Sequence, residues 1–156
     1  MRHLTAVIAV ALSAALFHRA SGAEPFYVGN WQFASAVLAP WADSALRQPD
    51  TAERDSFLGK TVAIRPREIA GPSDFLCKEP AYKLVAYPAE ELFEGAFAEM
   101  HERDPSIDPG KLADALGFTG SAFTTLETGC EFDWHFVDQG TVEIGLNDWI
   151  YTLKKQ

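Results

Sequence analysis

The chain has few basic residues, and this scarcity narrows the classes of function open to it. Thirteen Lys and Arg residues stand against 22 Asp and Glu, which gives a formal net charge of −9 over 156 residues. A field of this sign repels nucleic acid and anionic lipid. We therefore expect no nucleic-acid partner. The acidic surface either keeps the protein in solution or steers a basic protein toward it.

Long apolar runs are missing beyond the N-terminus. Residues 4–17 carry no charge and follow Arg2, and the polar stretch after them ends in small residues at Ser21 and Ala23. This three-part layout is typical of a secretory signal peptide that is cleaved after Ala23. The apolar run is shorter than the roughly 20 residues that span a bilayer. The sequence predicts a signal peptide over 1–23, a periplasmic or secreted mature protein, and no membrane span.

The predicted mature chain, residues 24–156, has no internal repeat, low-complexity tract or break in composition. Cleavage removes Arg2 and Arg19 but no carboxylate, so 11 basic residues remain against 22 acidic ones and the net charge becomes −11. A chain of this length is typical of one ordinary domain with one core. We predict a single β-rich domain over 24–156.

Common catalytic signatures are absent from the sequence. It contains no Gly-x-Ser-x-Gly elbow, no glycine-rich phosphate loop and no His-Glu-x-x-His pair. Hydrolases and nucleotide-binding enzymes often carry one of these motifs because each places a nucleophile, a phosphate cradle or metal ligands at a fixed spacing. The sequence therefore favours a non-enzymatic function, and it predicts no cofactor.

The chain has only two cysteines, Cys77 and Cys130. An even pair in an exported chain indicates a disulfide. The alternative is a nucleophilic Cys130 close to His135 in sequence, but strand alternation places two side chains five residues apart on opposite faces. We predict the disulfide, which would join the segment before the central strand to the beginning of the C-terminal hairpins.

Alternating apolar residues and turn signals predict a chain made mostly of short strands. Trp31, Phe33, Ser35 and Val37 form the expected inward row of the first strand. Strands are predicted over 60–64, 68–70, 81–87, 123–126, 130–137, 141–146 and 149–153.

Capping residues predict two short helices. The first begins at Asp50 or Thr51 and runs to Leu58, and the second begins at Asp108-Pro109 and ends at Leu116. The stretch Pro88–Met100 fits either a helix or a strand with a bulge at Gly95, and we predict a strand.

Seven to nine strands with two short helices indicate a mainly β, antiparallel meander that forms a small closed or partly open barrel. Gly29-Asn30-Trp31 at the start of the first strand resembles the Gly-x-Trp opening of calycin barrels, the lipocalin group and its relatives. This resemblance implies a calycin-like barrel. The segments Ala39–Trp41, Gly71-Pro72 and Asn147–Tyr151 are similar to segments of exported bacterial proteins that have no assigned activity.

Aromatic residues are the side chains in this sequence best suited to contact a small ligand. A barrel lined by such rings could enclose a small apolar or amphipathic ligand, with a polar contact at the mouth. The alternative is that the same rings only fill the core. The residues predicted for the ligand site are Trp31, Trp134, Tyr82, Tyr151 and Arg65.

The sequence is also compatible with two other functions. The five glutamates Glu90, Glu91, Glu94, Glu99 and Glu102 could dock a basic protein, as in an inhibitor or immunity protein that neutralises a basic envelope-targeting enzyme, or they could form a solvated face.

The second function is metal binding. The row Glu131, Asp133 and His135 shares one face of a predicted strand and has residue types that bind a divalent metal. The alternative is the ordinary hydrophilic side of a half-buried strand.

Overall fold

The computed structural model describes residues 24–42 and 48–156, so the predicted signal peptide 1–23 lies outside the described residues. Within this part the chain forms nine strands, three α-helices and two 3₁₀ turns. The strands are β1 (Gly29–Leu38), β2 (Thr61–Arg65), β3 (Glu68–Ala70), β4 (Cys77–Lys78), β5 (Lys83–Tyr87), β6 (Phe123–Glu127), β7 (Trp134–Asp138), β8 (Thr141–Leu146) and β9 (Trp149–Lys155). The helices are α1 (Thr51–Phe57), α2 (Leu92–Arg103) and α3 (Pro109–Ala115), and the 3₁₀ turns are Ser73–Phe75 and Ala89–Glu91.

All nine strands belong to one antiparallel sheet that curls into a half-barrel. Their order across the sheet is β4-β3-β2-β1-β9-β8-β7-β6-β5, so β4 and β5 are its two edges. Two-residue loops, 139–140 and 147–148, connect β7 to β8 and β8 to β9, and the β7-β8 pairing has a register shift between Phe136 and Asp138. The predicted mainly β fold with a partly open barrel is confirmed.

The concave side of the sheet holds an aromatic core. Trp31, Phe33, Trp134 and Tyr151 are each at most 1 % exposed. Further rings from α1, the first 3₁₀ turn and the loop before β7 fill the space between the strands: Phe57, Phe75 and Phe132. The side chains of Phe132, Trp134 and Phe136 face this core, as predicted.

The first strand departs from simple alternation halfway along its length. A register shift between Phe33 and Ser35, where β1 pairs with β9, reverses the faces of the residues that follow. Ala36 therefore packs against the core, whereas Val37 is 46 % exposed. The predicted inward row is correct for Trp31 and Phe33 and wrong for Ser35 and Val37.

A second core lies on the outer face of the sheet, under α2 and α3. Leu92, Phe93 and Phe97 of α2 pack with Phe123 of β6 and Ile150 of β9. The sheet is therefore buried on both faces where these helices cover it. Among the described helices, none is long and apolar enough to cross a membrane.

Aspartate caps begin α1 and α3 where the sequence predicts them. The Asp50 carboxylate accepts hydrogen bonds from the amides of Ala52 and Glu53, at 2.9 and 3.0 Å. Asp108 caps α3 through the amides of Gly110 and Lys111. These bonds satisfy amides that have no partner inside the helix.

The prediction of a strand over Pro88–Met100 is wrong, because this stretch is the second 3₁₀ turn followed by α2. Three consecutive left-handed residues, Phe93, Glu94 and Gly95, interrupt the start of α2, with φ values of 53°, 56° and 82°. This irregular turn aims Phe93 into the outer core.

The predicted strand over 130–137 is too long at its beginning. Strand β7 starts at Trp134, and residues 130–133 belong to the loop between β6 and β7. The Thr128 hydroxyl donates to the carbonyl of Phe132 at 3.0 Å and accepts from the amide of Cys130 at 3.1 Å. The loop is therefore held by the Thr128 side chain and not by pairing between strands.

Candidate ligand site at the seam of the barrel

The two edges of the curled sheet face each other across a gap, which we call the seam. Strands β4 and β5 are consecutive in sequence, so residues 79–82 cross the seam directly. The predicted disulfide between Cys77 of β4 and Cys130 of the β6-β7 loop also crosses it, with the two Cα atoms 6.3 Å apart. A backbone hydrogen bond from Ala81 to Thr128 adds a third link at 2.7 Å.

Tyr82 fixes the other end of the seam. Its hydroxyl donates to the carbonyl oxygen of Arg65 at 2.8 Å and lies 3.3 Å from that of Glu68, both at the β2-β3 turn. Burial raises the pKa of Tyr82 to about 12, so the hydroxyl remains a donor at physiological pH. The residue therefore joins β5 to the opposite half of the sheet.

A cleft of about 170 Å³ opens beside the disulfide. Its lining comes from β3, the first 3₁₀ turn, β4, the β6-β7 loop and β7: Ile69, Asp74, Phe75, Leu76, Cys77, Thr128, Cys130, Glu131, Phe132 and Trp134. The floor is buried, with Phe75, Phe132 and Trp134 between 1 and 8 % exposed, whereas Leu76 at the mouth is 63 % exposed. The cleft thus runs from solvent to the aromatic core.

Two short hydrogen-bonded segments hold the walls of this cleft. The 3₁₀ turn is closed by the amide of Phe75 bonded to the carbonyl of Pro72, and by the amide of Leu76 bonded to that of Ser73. On the facing side, the buried Thr128 hydroxyl holds the loop that carries Glu131 and Phe132. The shape of the cleft is therefore built by bonded elements on both sides.

An aromatic pair forms one part of the floor. Phe75 and Phe132 stack with their ring centroids 4.7 Å apart and an interplanar angle of 29°. Phe75 also meets Phe33 edge-on at 5.1 Å, which connects the floor to the centre of the core. These contacts hold the two rings in place, and only a small part of each ring faces the cleft.

The mouth of the cleft is acidic. Asp74 and Glu131 are both exposed and line it from opposite walls, and no lysine or arginine is among the lining residues. The arrangement combines a largely buried aromatic floor with negative charge at the opening. Such a site can hold a small molecule that has an apolar body and a polar or charged end.

The structure places the predicted ligand residues in three different surroundings. Trp31 and Tyr151 are fully buried in the concave core; the indole of Trp31 donates to the carbonyl of Tyr27, and the Tyr151 hydroxyl has no partner among the described residues. Trp134 lies at the floor of the seam cleft. Tyr82 spans the seam, and Arg65 is exposed at the β2-β3 turn, beside Arg67 and Lys78.

The predicted metal-binding residues do not converge. Glu131 is exposed at the cleft, Asp133 is half-buried, and His135 is buried on the opposite side of the sheet from the core row. Both ring nitrogens of His135 are occupied, by Thr125 and by the amide of Phe93. Among the described residues, no group of three His, Cys, Asp or Glu side chains is arranged to hold a metal ion.

Helix α2 covers the strand face that carries His135. The sequence pattern had favoured a solvated face. Cross-strand pairing places Thr125, His135, Glu143 and Thr152 in one row across β6 to β9. His135 and Glu143 are 1 % and 4 % exposed. The Thr152 hydroxyl donates to the Glu143 carboxyl at 3.2 Å.

The five glutamates considered for docking lie together on the second 3₁₀ turn and α2. All five are exposed: Glu90, Glu91, Glu94, Glu99 and Glu102. Glu99 forms an ion pair with Arg103 at 3.1 Å, one helical turn away. The acidic surface is therefore on the helical layer, across the sheet from the seam cleft.

Sequence reasoning missed Asp74, Phe75 and Leu76 as site residues. They belong to a 3₁₀ turn after Pro72, and nothing in their spacing indicates a site. The one usable signal is the pair of cysteines, since the disulfide brings the segment before Cys77 against the loop around Cys130. A search among the neighbours of both cysteines would have found the cleft.

Comparison of the chain with protein-family models, with curated proteins and with solved structures found no match. The similarity of Gly29-Asn30-Trp31 to calycin barrels therefore remains a prediction from the sequence.

Proposed function

We propose that the protein is an exported, periplasmic binding protein without catalytic activity, and that it captures a small amphipathic ligand in the seam cleft. The observation that carries this proposal is the cleft itself, an opening of about 170 Å³ that leads from solvent to packed aromatic rings. A cavity of about 150 Å³ lined by apolar side chains is large enough to bind benzene in an engineered protein. By volume, the cleft can therefore hold a single ring or a short alkyl chain.

The seam is a better candidate than the centre of the half-barrel. The rings of Trp31, Phe33, Phe57 and Tyr151 already occupy the concave side, in contact with one another. A ligand there would have to displace packed side chains, and overfilling a packed core costs about 1–3 kcal/mol. The cleft needs no such displacement.

The disulfide supports the proposed location in the cell. Cystine bridges persist in oxidising compartments such as the bacterial periplasm. Here the bridge also forms one wall of the cleft, through Cys77 and Cys130. The bridge therefore fits an oxidising compartment and also belongs to the proposed binding site.

A catalytic role has less support from the side chains. Among the described residues, His135 is the histidine that lies opposite a carboxyl group on the sheet. Both of its ring nitrogens are hydrogen-bonded and its side chain is shielded from solvent. A general base needs to reach its substrate within hydrogen-bond distance. The residue therefore fits a structural role.

Native mass spectrometry of the protein isolated from the periplasm tests the proposal. Wild type should carry a mass beyond the processed, oxidised chain. Leu76→Trp, at the mouth of the cleft, should lose it because the indole occupies the opening. Leu84→Trp is the matched control, since Leu84 is a comparably exposed leucine on β5 outside the cleft, and it should keep the ligand. A bare chain mass for wild type, or a ligand that Leu76→Trp retains, would contradict the proposal.

A second candidate is an acidic module that binds a basic protein. It is favoured by one observation, the concentration of exposed glutamates on the second 3₁₀ turn and α2. Such a module should retain a basic envelope-targeting enzyme on a column at low salt and release it as salt rises. Retention that does not change with salt would count against this candidate.

A further inference from the structure

We propose that the free edge of β5 is a docking surface for an extended segment of a basic protein, in which apolar residues alternate with lysine or arginine. The segment would add to the sheet as a strand next to β5, the mode of recognition known as strand addition. This inference goes beyond ligand binding in the seam cleft, because β5 contributes no residue to the lining of that cleft.

The first support is that one side of β5 has no partner strand. Its five residues pair with β6 in a regular register, from Lys83 opposite Glu127 to Tyr87 opposite Phe123. On its other side, the backbone of β5 has no hydrogen bond to any described residue. An edge of this kind presents alternate amides and carbonyls that can pair with another chain.

The inner face of this edge is exposed although it belongs to the concave side of the sheet. Leu84 lies opposite Leu126 of β6, and Leu126 lies opposite Trp134 of β7. Leu126 and Trp134 are at most 1 % exposed, whereas Leu84 is 47 % exposed, because no strand follows β5 in the sheet. Ala86, on the same face of β5, is exposed as well. A strand added at this edge would cover both apolar side chains.

Strand β5 also lacks the features that commonly block such pairing. Natural edge strands are protected by short length, proline, bulges or inward-pointing charges. The opposite edge, β4, has only two residues and is tied by the disulfide. In β5 the register is continuous and no proline interrupts residues 83–87. Its charged residue, Lys83, is on the outer face and forms an ion pair with Glu127 at 3.0 Å.

The outer face beside β5 is acidic, which favours a basic segment. The Tyr87 hydroxyl donates a hydrogen bond to Glu127. Its pKa is raised to about 12 by this bond, by burial and by the nearby charges of Glu127, Asp133 and Glu91. The predicted mature chain as a whole is also acidic, so it repels its own copies and attracts a basic partner. Basic residues on the outer side of the added strand, with apolar residues on the inner side, therefore match both faces of the edge.

Three peptides of nine residues test the inference: alternating valine and lysine, alternating proline and lysine, and alternating valine and glutamate. Each is titrated into the full processed protein at neutral pH and low salt, and binding is followed by NMR shifts of the backbone amides of residues 83–87. Pairing over five residues forms a small interface, so we expect weak, reversible binding of the valine-lysine peptide.

The valine-lysine peptide should bind about tenfold more tightly than either of the others. The proline-lysine peptide has the same charge, but its prolines cannot donate to a strand ladder. The valine-glutamate peptide can pair as a strand, but it carries the opposite charge and is repelled.

Ala86→Lys should weaken binding of the valine-lysine peptide about tenfold, because an inward-pointing charge on an edge strand opposes strand addition. The control is Thr124→Lys. Thr124 lies opposite Ala86 on β6 and is also exposed, so the variant adds the same charge one strand away from the edge. The control should bind the peptide like wild type. Thermal unfolding of both variants checks that the folds are intact.

Several results would overturn the inference. Equal binding of the two lysine peptides, with shifts on α2, would assign the contact to the acidic helical layer. Equal binding of the valine-lysine and valine-glutamate peptides would remove the charge requirement. Shifts absent from residues 83–87, or full affinity in Ala86→Lys, would exclude strand addition at β5. A dimer that sedimentation detects for wild type and that Ala86→Lys abolishes would assign the edge to a second copy of the chain.

Discussion

His135 shows how one buried side chain can connect two layers of the protein. Its Nε2 accepts a hydrogen bond from the amide of Phe93 at 3.0 Å, so the proton of the neutral ring is on Nδ1 and is donated to the Thr125 hydroxyl at 2.9 Å. The bond to Phe93 supports the left-handed start of α2. Burial lowers the pKa of His135 to about 3, so the ring stays neutral and keeps this arrangement.

Glu143 lies directly opposite His135 on the neighbouring strand. Burial raises the pKa of its carboxyl group to about 7, while the hydrogen bond from Thr152 and the charge of Lys154 oppose the shift. A carboxyl group of this kind favours the protonated form in the folded protein. Two titrating groups with opposite shifts therefore face each other beneath α2.

These shifts predict an unusual pH profile of the free energy of unfolding. The unfolded chain binds the His135 proton between pH 3 and 6.5, so stability rises with pH across that range. The folded chain binds the Glu143 proton between pH 4.5 and 7, so stability falls with pH there. The two slopes oppose each other between pH 4.5 and 6.5, and their sum is a plateau.

Glu143→Gln should remove the falling component. Relative to wild type, the variant should gain roughly 3 kcal/mol of stability between pH 4 and pH 8, which corresponds to the shift of the Glu143 pKa. Urea unfolding at a series of pH values measures this difference, and groups that titrate alike in both proteins cancel. Parallel profiles for wild type and variant would show that Glu143 titrates normally.

At the scale of the elements, the junction between α2 and the sheet depends on the close approach of two aromatic rings to the backbone of β8. Phe93 packs against Trp41 at 5.4 Å, against Phe97 at 5.3 Å and against the His135 ring at 4.8 Å. Gly145 of β8 lies under this group. A Cβ at that position would lie 3.1 Å from the Phe93 ring and 3.3 Å from the Trp41 ring.

Gly145→Ala should therefore destabilise the protein by about 1–3 kcal/mol, the usual effect of overpacking. Gly140→Ala in the β7-β8 turn is the matched control, because a Cβ there would be 3.5 Å from its nearest neighbour. The control should change stability by less than about 0.5 kcal/mol. Thermal unfolding of the two variants tests this prediction. Equal melting temperatures would mean that α2 moves to admit the methyl group.

Local chemistry explains which elements could be predicted from the sequence. The caps Asp50 and Asp108 act on amides two and three residues away, so their helices begin where the sequence indicates. The C-terminal hairpins likewise have turn-forming residues beside their strands, Asp138-Gln139-Gly140 and Asn147-Asp148. By contrast, the strand predicted over Pro88–Met100 failed because the helix there depends on left-handed residues and on the contact of Phe93 with His135.

The candidate site was less accessible to prediction. Trp134 was expected to contact a ligand, and it does line the seam cleft, but Trp31 and Tyr151 belong to the filled core. Alternation along a strand tells which face a side chain occupies, and both faces of this sheet are covered in part. Asp74 comes to the cleft only through tertiary contacts, which carry no local sequence pattern.

At the scale of the whole molecule, the half-barrel is held at its seam by covalent links. The Cys77–Cys130 bridge closes a loop of 53 residues. On the loop-entropy account, this closure stabilises the fold by about 4 kcal/mol. The bridge also joins the two walls of the cleft, so its loss should act on binding as well as on stability.

Cys77→Ala/Cys130→Ala should lower the melting temperature markedly and reduce the fraction of protein that carries the ligand mass. Wild type under a reducing agent should approach the behaviour of the variant. Differential scanning calorimetry and native mass spectrometry measure the two effects. An unchanged melting temperature would contradict the structural role of the bridge.

The sheet order has a consequence for how the chain reaches this fold. Strands β1 and β9 pair in the middle of the sheet, and the amide of Gln156 bonds the carbonyl of Asn30 at 2.9 Å. If the chain were joined there and cut within residues 79–82, the strands would follow one another as an up-and-down meander of nine neighbours. Such a circular permutant would replace the pairing of greatest sequence separation with a hairpin. Its lower contact order should make it fold faster than the natural chain.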